Sequence, residues 1–229
     1  MSVYLPFILI ALTVVGLVIW RVVVRQMTAQ SYRSAFGQIN HRPCPDQTRW
    51  LQEIVTGIEQ VPGYRFEVRD PKRWSAEPTI YSYLKLRHRS SDEEVVAEEE
   101  ILFPLKRSSE AGLVLTLKPS TLAPGAATRL IGAVATGGWD AQPNDLERLE
   151  LSPELRERNV IAALGPPGQS VHDLVDPSVL EVVQDFGDAG GLFVRFRDGW
   201  CSVASVSSHI PFRRVELIAR IRQLLQESA

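Results

Sequence analysis

From Val3 to Trp20 the chain reads VYLPFILIALTVVGLVIW with no charged side chain, and Val22, Val23 and Val24 carry the apolar run past Arg21. A helix rising about 1.5 Å per residue needs roughly 20 such residues to cross a hydrocarbon layer of about 30 Å. The run therefore predicts a transmembrane anchor over residues 1–24, with the lipid bilayer as its first partner. Tyr4, Trp20, Arg21 and Arg25 fall where aromatic rings and snorkelling guanidinium groups settle at the headgroup level. Ala11, Thr13 and Gly16 are small enough to admit a close contact with a neighbouring helix. No Lys or Arg precedes the run, whereas Arg21, Arg25, Arg33 and Arg42 follow it, and the first acid is Asp46. A cleaved signal peptide has the opposite order of charge. The positive-inside rule thus predicts an uncleaved, single-pass protein of the inner (cytoplasmic) membrane, with its C-terminal domain in the cytoplasm.

Residues 25–45 are expected to form a juxtamembrane stalk, helical while Ala29, Tyr32, Phe36 and Ile39 keep a spacing of three and four, and ended by the elbow His41-Arg42-Pro43-Cys44-Pro45. The remaining 46–229 is long enough for one domain with a sizeable core, with a possible sub-boundary near 120–145. Asp46 is the expected cap of a helix whose apolar stripe is Trp50, Leu51, Ile54, Val55 and Ile58, ended at Pro62-Gly63. Alternation predicts strands over 64–69, 79–88, 95–105 and 112–118, the second and third joined as a hairpin through 90–93. Residues 123–143 read as loop around a short apolar piece at 130–135, followed by a strand at 146–151.

The last third is expected to hold a helical turn at 169–175, a helix from Asp176-Pro177 to Phe186 ended by Gly187, and strands 192–197 and 200–206 about the turn Asp198-Gly199. A final helix opens at Pro211. Helices and strands mix without a βαβ rhythm, so the expected class is α+β: a membrane helix and stalk, then a mainly antiparallel sheet with packed helices.

Motifs that would carry chemistry are sparse. His41 and Cys44 have a metal-ligand spacing, but no second pair joins them, so no metal and no cofactor are expected. Glu93, Glu94, Glu98, Glu99 and Glu100 supply carboxylates; in a strand Glu98 and Glu100 share a face, read as solvated, and Glu99 points to the apolar side, where it would pair with an arginine or mark the end of the core. Ser170 and His172 are too close in sequence to imply a triad, and the glycine clusters 137–138 and 187–191 fit turns better than phosphate loops. Cys44 and Cys201 do not make a disulfide framework. A formal charge of -2 gives no reason to expect nucleic acid as a partner. Arg213, Arg214, Arg220 and Arg222 on the last helix offer a possible lipid-contact surface.

The order of Asp176-Pro177 helix, glycine loop, Leu192-Phe193-Val194-Arg195-Phe196 strand and closing helix resembles a family of uncharacterised bacterial single-span membrane proteins with a cytoplasmic α+β domain. The resemblance implies architecture and carries no catalytic residue or ligand. The expected function is that of a non-enzymatic accessory subunit, docking onto and stabilising a larger membrane complex of photosynthetic or respiratory type and so meeting its other subunits. The alternative is a membrane-tethered module that binds lipid or another ligand. A hydrolase or transferase with a dispersed site would need His88, His172 or Glu99 to converge on one pocket.

Overall fold

The computed structural model describes residues 41–59, 63–74, 79–89, 95–105, 112–118, 146–206 and 213–227. The expected span and its residues Tyr4, Ala11, Thr13, Gly16, Trp20, Arg21 and Arg25, the stalk up to residue 40, the acids Glu93 and Glu94 and the loop 123–143 lie outside them. Among the described residues no helix is long and apolar enough to cross a membrane. Residues 41–229 make up a compact unit.

That unit is α+β and its strand pairs are all antiparallel. Its elements are β1 (His41–Pro43), α1 (Thr48–Glu59), β2 (Tyr64–Trp74), β3 (Ile80–Arg89), β4 (Val95–Pro104), β5 (Leu113–Leu117), β6 (Glu147–Arg148), α2 (Pro153–Glu157), β7 (Val160–Gly165), α3 (Val171–Leu174), α4 (Pro177–Asp188), β8 (Phe193–Arg197), β9 (Trp200–Val206) and α5 (Arg214–Glu227). The described strands form one sheet in the order β1-β2-β3-β4-β9-β8-β5-β7-β6. The β8–β9 hairpin closes as its sequence predicts, because Asp198 and Gly199 both take the positive φ (51° and 79°) that a two-residue turn of matching twist requires.

Side chains opposed across an antiparallel ladder share a face, so the register sorts the sheet into two. One face carries Tyr81, Tyr83 and Lys85 of β3, Glu98, Glu100 and Leu102 of β4, Ser202 of β9 and Arg195 of β8. α1 lies over it. Leu51, Val55 and Ile58 pack with Cys44, Phe66, Val68, Tyr81, Tyr83 and Leu102, and each buried aliphatic side chain contributes about 1.5–3 kcal/mol. The opposite face holds Ile101, Phe103, Val194, Phe196 and Val203, all buried, with α4 against it: the Phe103 and Phe186 rings meet edge to face at 6.3 Å. α5 packs on α4, and its Leu217, Ile218 and Ile221 are buried.

Several boundaries differ from the sequence reading. His41–Pro43, expected to end the stalk, is an edge strand paired with Lys72–Trp74, and Asp46 sits in a 3₁₀ turn ahead of α1. β2 runs five residues further than expected because a bulge at Asp70-Pro71 lets pairing resume after the register shift. Of the strand expected at 146–151, only Glu147–Arg148 pairs. α2 and β7 were not foreseen; apart from Ile161, every residue of β7 is buried, which erases the alternation that reveals a strand. Gly187 does not end α4, which continues to Asp188; the glycine's site faces Leu117 and the Lys118 carbonyl instead.

Candidate functional surface and a buried ion cluster

Two features of the α1-covered face concentrate side chains of functional type. The first is an ion cluster under the C-terminal end of α1. Lys85 Nζ contacts a carboxylate oxygen of Glu59, Glu98 Oε2 at 2.9 Å and Glu100 Oε1 at 3.3 Å. The Arg195 guanidinium reaches the same three acids at 3.1, 3.4 and 3.3 Å. Ser202 Oγ donates to Glu100 Oε1 at 2.8 Å. All five charged side chains are buried, Lys85 completely. Arg87 adds a third positive charge within electrostatic reach of Glu98, which balances the three carboxylates.

Mutual pairing overrides the cost of burial. Burial alone pushes the Glu98 carboxyl up, but Lys85, Arg195 and Arg87 outweigh it and hold it down at about 2. Lys85 moves the other way: burial and Arg195 pull it down, and Glu100, Glu59 and Glu98 lift it above its ordinary value. Burial, with the Glu100 charge beside it, pushes the Tyr83 phenol well up. The cluster is therefore mutually paired and enclosed, an arrangement suited to pinning α1 to the sheet.

These acids correct the sequence reading, which gave Glu98 and Glu100 to solvent. They sit opposite Tyr83 and Lys85 across the β3–β4 hairpin, and α1 seals the face. Glu99 does point to the other side and does pair with an arginine, Arg214, at 2.8 Å.

The second feature lies at the other end of α1. Trp50 is 40% exposed, and with Ile161 it is one of two large apolar side chains exposed among the described residues. Its ring sits edge-on to Tyr81 at 5.3 Å and to Trp200 at 5.6 Å. In the register Tyr81 opposes Arg73, and Arg73 opposes Arg42 on the edge strand. Two arginines are thus in line with the aromatic trio on one face. Arg49 is exposed beside Trp50 and pairs with Glu53 at 3.4 Å, and the charge of Asp46 is felt at Cys44 and Tyr81.

The remaining sequence candidates are dispersed. Arg213 pairs with Glu216 at 3.6 Å and Arg220 with Asp185 at 2.6 Å, so with Arg214 on Glu99 much of the charge on α5 is spent within the domain. Arg222 is half-buried on the same helix. His88 lies by Glu67 at 3.4 Å, and His172 Nε2 is 3.4 Å from Ser152 Oγ. With Glu99 on Arg214, those three side chains have three separate partners. Ser170 Oγ donates to Asp173 at 2.7 Å in a helix-capping arrangement. The His41 ring lies 5.0 Å from the Trp74 ring at a tilt of 37°, burial raises the Cys44 thiol, and among the described residues no group of metal-binding side chains forms. An open groove of about 540 Å³ runs past Arg148, Leu149, Arg156 and Ile161 and includes none of these candidates.

Neither a family model nor a curated protein matches the chain. A solved structure, that of the mycobacterial trehalose monomycolate transport factor A, TtfA, aligns over 86% of this chain and 90% of its own at 12% identity and a TM-score of 0.42, a likeness too slight to carry an argument.

Proposed function

We propose that the chain is a membrane-tethered binding module whose folded domain engages the lipid bilayer at its interface through the aromatic surface around Trp50. The observation that carries this reading is the exposed indole itself. A large apolar ring left 40% in water, yet fixed edge-on between Tyr81 and Trp200, is held ready for a less aqueous partner. Tryptophan and tyrosine are the side chains that favour the headgroup level, where an apolar ring and a polar edge are both accommodated.

The tether supports the same reading. Sixteen residues separate Val24 from His41, so even a fully extended connection keeps the start of β1 within about 60 Å of the apolar run. Tethering raises the effective concentration of bilayer at the domain, and weak surface contacts suffice. The enclosed ion cluster then has a structural part, fixing the helix that presents Trp50. The accessory-subunit expectation draws on the span alone and gains no support from the described domain.

Hydrogen–deuterium exchange on the full chain in phosphatidylcholine nanodiscs tests the proposal. Peptides covering 41–53 and 198–203 should exchange more slowly than in a Trp50→Ala variant. Equal exchange in the two chains would overturn it.

A further inference from the structure

We infer that the groove between β6 and β7, at the other edge of the sheet from β1, is a docking site for an extended, acidic peptide segment of a partner protein. The site shares no residue with the proposed bilayer contact around Trp50. It starts where two strands part. β6 pairs with Gly165 and Leu164, and the Leu149 amide donates to the Ala163 carbonyl at 3.0 Å. Past that point no described strand pairs with this side of β7 along Val160–Ala162. On the other side the register shifts: Thr116 opposes Ala162 and Leu117 opposes Val160, which leaves Ile161 as the extra residue. A bulge re-aims the side chain it carries. Ile161 stands 38% exposed in a strand otherwise buried.

The lining of this groove is mixed. Along Arg148–Leu151 charged and apolar residues alternate, and Arg156 and Ile161 extend the wall. An extended peptide has the same period of two, with backbone groups to offer the open stretch of β7 and side chains to offer both kinds of neighbour. An acyl chain would take Arg148, Glu150 and Arg156 out of water without partners, and a small free anion would leave Ile161 in water. The charge sets the sign of the occupant. Among the described residues Arg148 and Arg156 are exposed and neither enters an ion pair, while Glu150 is the one acid in the lining. The nearby Glu154 is already held by Arg158 at 2.8 Å. Two unpaired guanidinium groups against one carboxylate favour acidic side chains across the interface.

Selection of random short peptides displayed on phage, against the full chain held in phosphatidylcholine nanodiscs, tests the site. Enriched sequences should carry Asp or Glu among apolar residues. A synthetic copy of the leading sequence should slow deuterium exchange at 160–163, leave 41–53 unchanged and lose affinity as salt is raised. Arg148→Gln and Arg156→Gln should each weaken its binding about two- to fivefold, and Arg148→Lys should retain most of it. Ile161→Asp, which adds a like charge and removes an apolar contact, should weaken it more than either. Near-ultraviolet circular dichroism of each variant must match the unaltered chain, and if one arginine variant fails that check the decision rests on the other. No enrichment of acidic sequences, or binding indifferent to all three losses of charge or apolar surface, would overturn the assignment. Protection of 160–163 by phosphatidylglycerol discs without peptide would overturn it in favour of a lipid anion. Self-association of the unaltered chain that Ile161→Asp abolishes, seen by sedimentation velocity, would overturn it in favour of a second copy.

Discussion

Lys85 is the residue on which the covered face depends most. Replacing it with Met would leave Glu59, Glu98 and Glu100 sharing Arg195 beneath α1. Breaking a buried pair from one side costs about 3–5 kcal/mol, and urea denaturation should find the variant destabilised by that amount. The same cluster sets an acid limit. The Glu98 carboxyl is held at about 2 in the folded chain against an ordinary 4.5, so its stabilisation is complete above the ordinary value and disappears as pH falls from there toward 2. A shift of that size corresponds to about 3 kcal/mol. Denaturation midpoints should therefore be flat near neutrality and drop below about pH 4.5, and the drop should be much smaller in a Glu98→Gln chain. Part of this was legible in the sequence: strand alternation puts Glu98 and Glu100 on one face. Their burial was not, because Glu59 and Arg195 arrive from distant elements, Arg195 from 97 positions beyond Glu98. The usable signal was the hairpin, whose register sets Lys85 against Glu98 next to the Tyr83–Glu100 pair.

At the scale of elements, α1 does more than cover apolar surface. Among the described residues β1 pairs with β2 only at Lys72–Trp74, and along Tyr64–Arg69 no described strand pairs with the outer edge of β2. Gln52 bonds there instead: its Nε2 donates to the Phe66 carbonyl at 2.6 Å, and its Oε1 accepts from the Val68 amide at 2.9 Å. One side chain thereby imitates a strand residue along this stretch of the edge. Gln52→Ala should cost about 1–3 kcal/mol by urea denaturation and speed amide exchange at Val68 specifically. A second test concerns the joint between α4 and β8. A Cβ on Gly191 would stand 2.7 Å from Val203 Cγ1 and 2.8 Å from the Phe186 carbonyl oxygen. Because one of those atoms is backbone, Gly191→Ala should cost about 1–3 kcal/mol. The strands of the β3–β4 and β8–β9 hairpins, α1, α4 and α5 were legible as periodic runs, and the Asp198-Gly199 turn as a dipeptide. β7 and the continuation of β2 past its bulge were not, since burial of nearly every residue and a local register shift both erase the period of two.

For the whole molecule, the sequence and the structure contribute different halves of one account. The apolar run carries the proposed tether and an expected side of the membrane. The folded unit supplies a sheet whose one face is locked by ions at one end of α1 and opens into aromatic rings at the other. The sequence placed Trp50 in the apolar stripe of a helix, and it could not foresee that the ring stays exposed, because Tyr81 and Trp200 come from two other elements. Nor did it single out Arg148 and Arg156, which line one groove only when β6 joins the sheet. The arginines it did select on α5 are partly consumed by Glu99, Asp185 and Glu216. The most direct test of the account is tryptophan quenching by lipids brominated along their acyl chains, on the full chain in vesicles. Trp20 is present in both the unaltered chain and Trp50→Phe, so the difference between them isolates the domain's contact. A clear loss of quenching in Trp50→Phe is the predicted result; identical quenching of the two chains would contradict it.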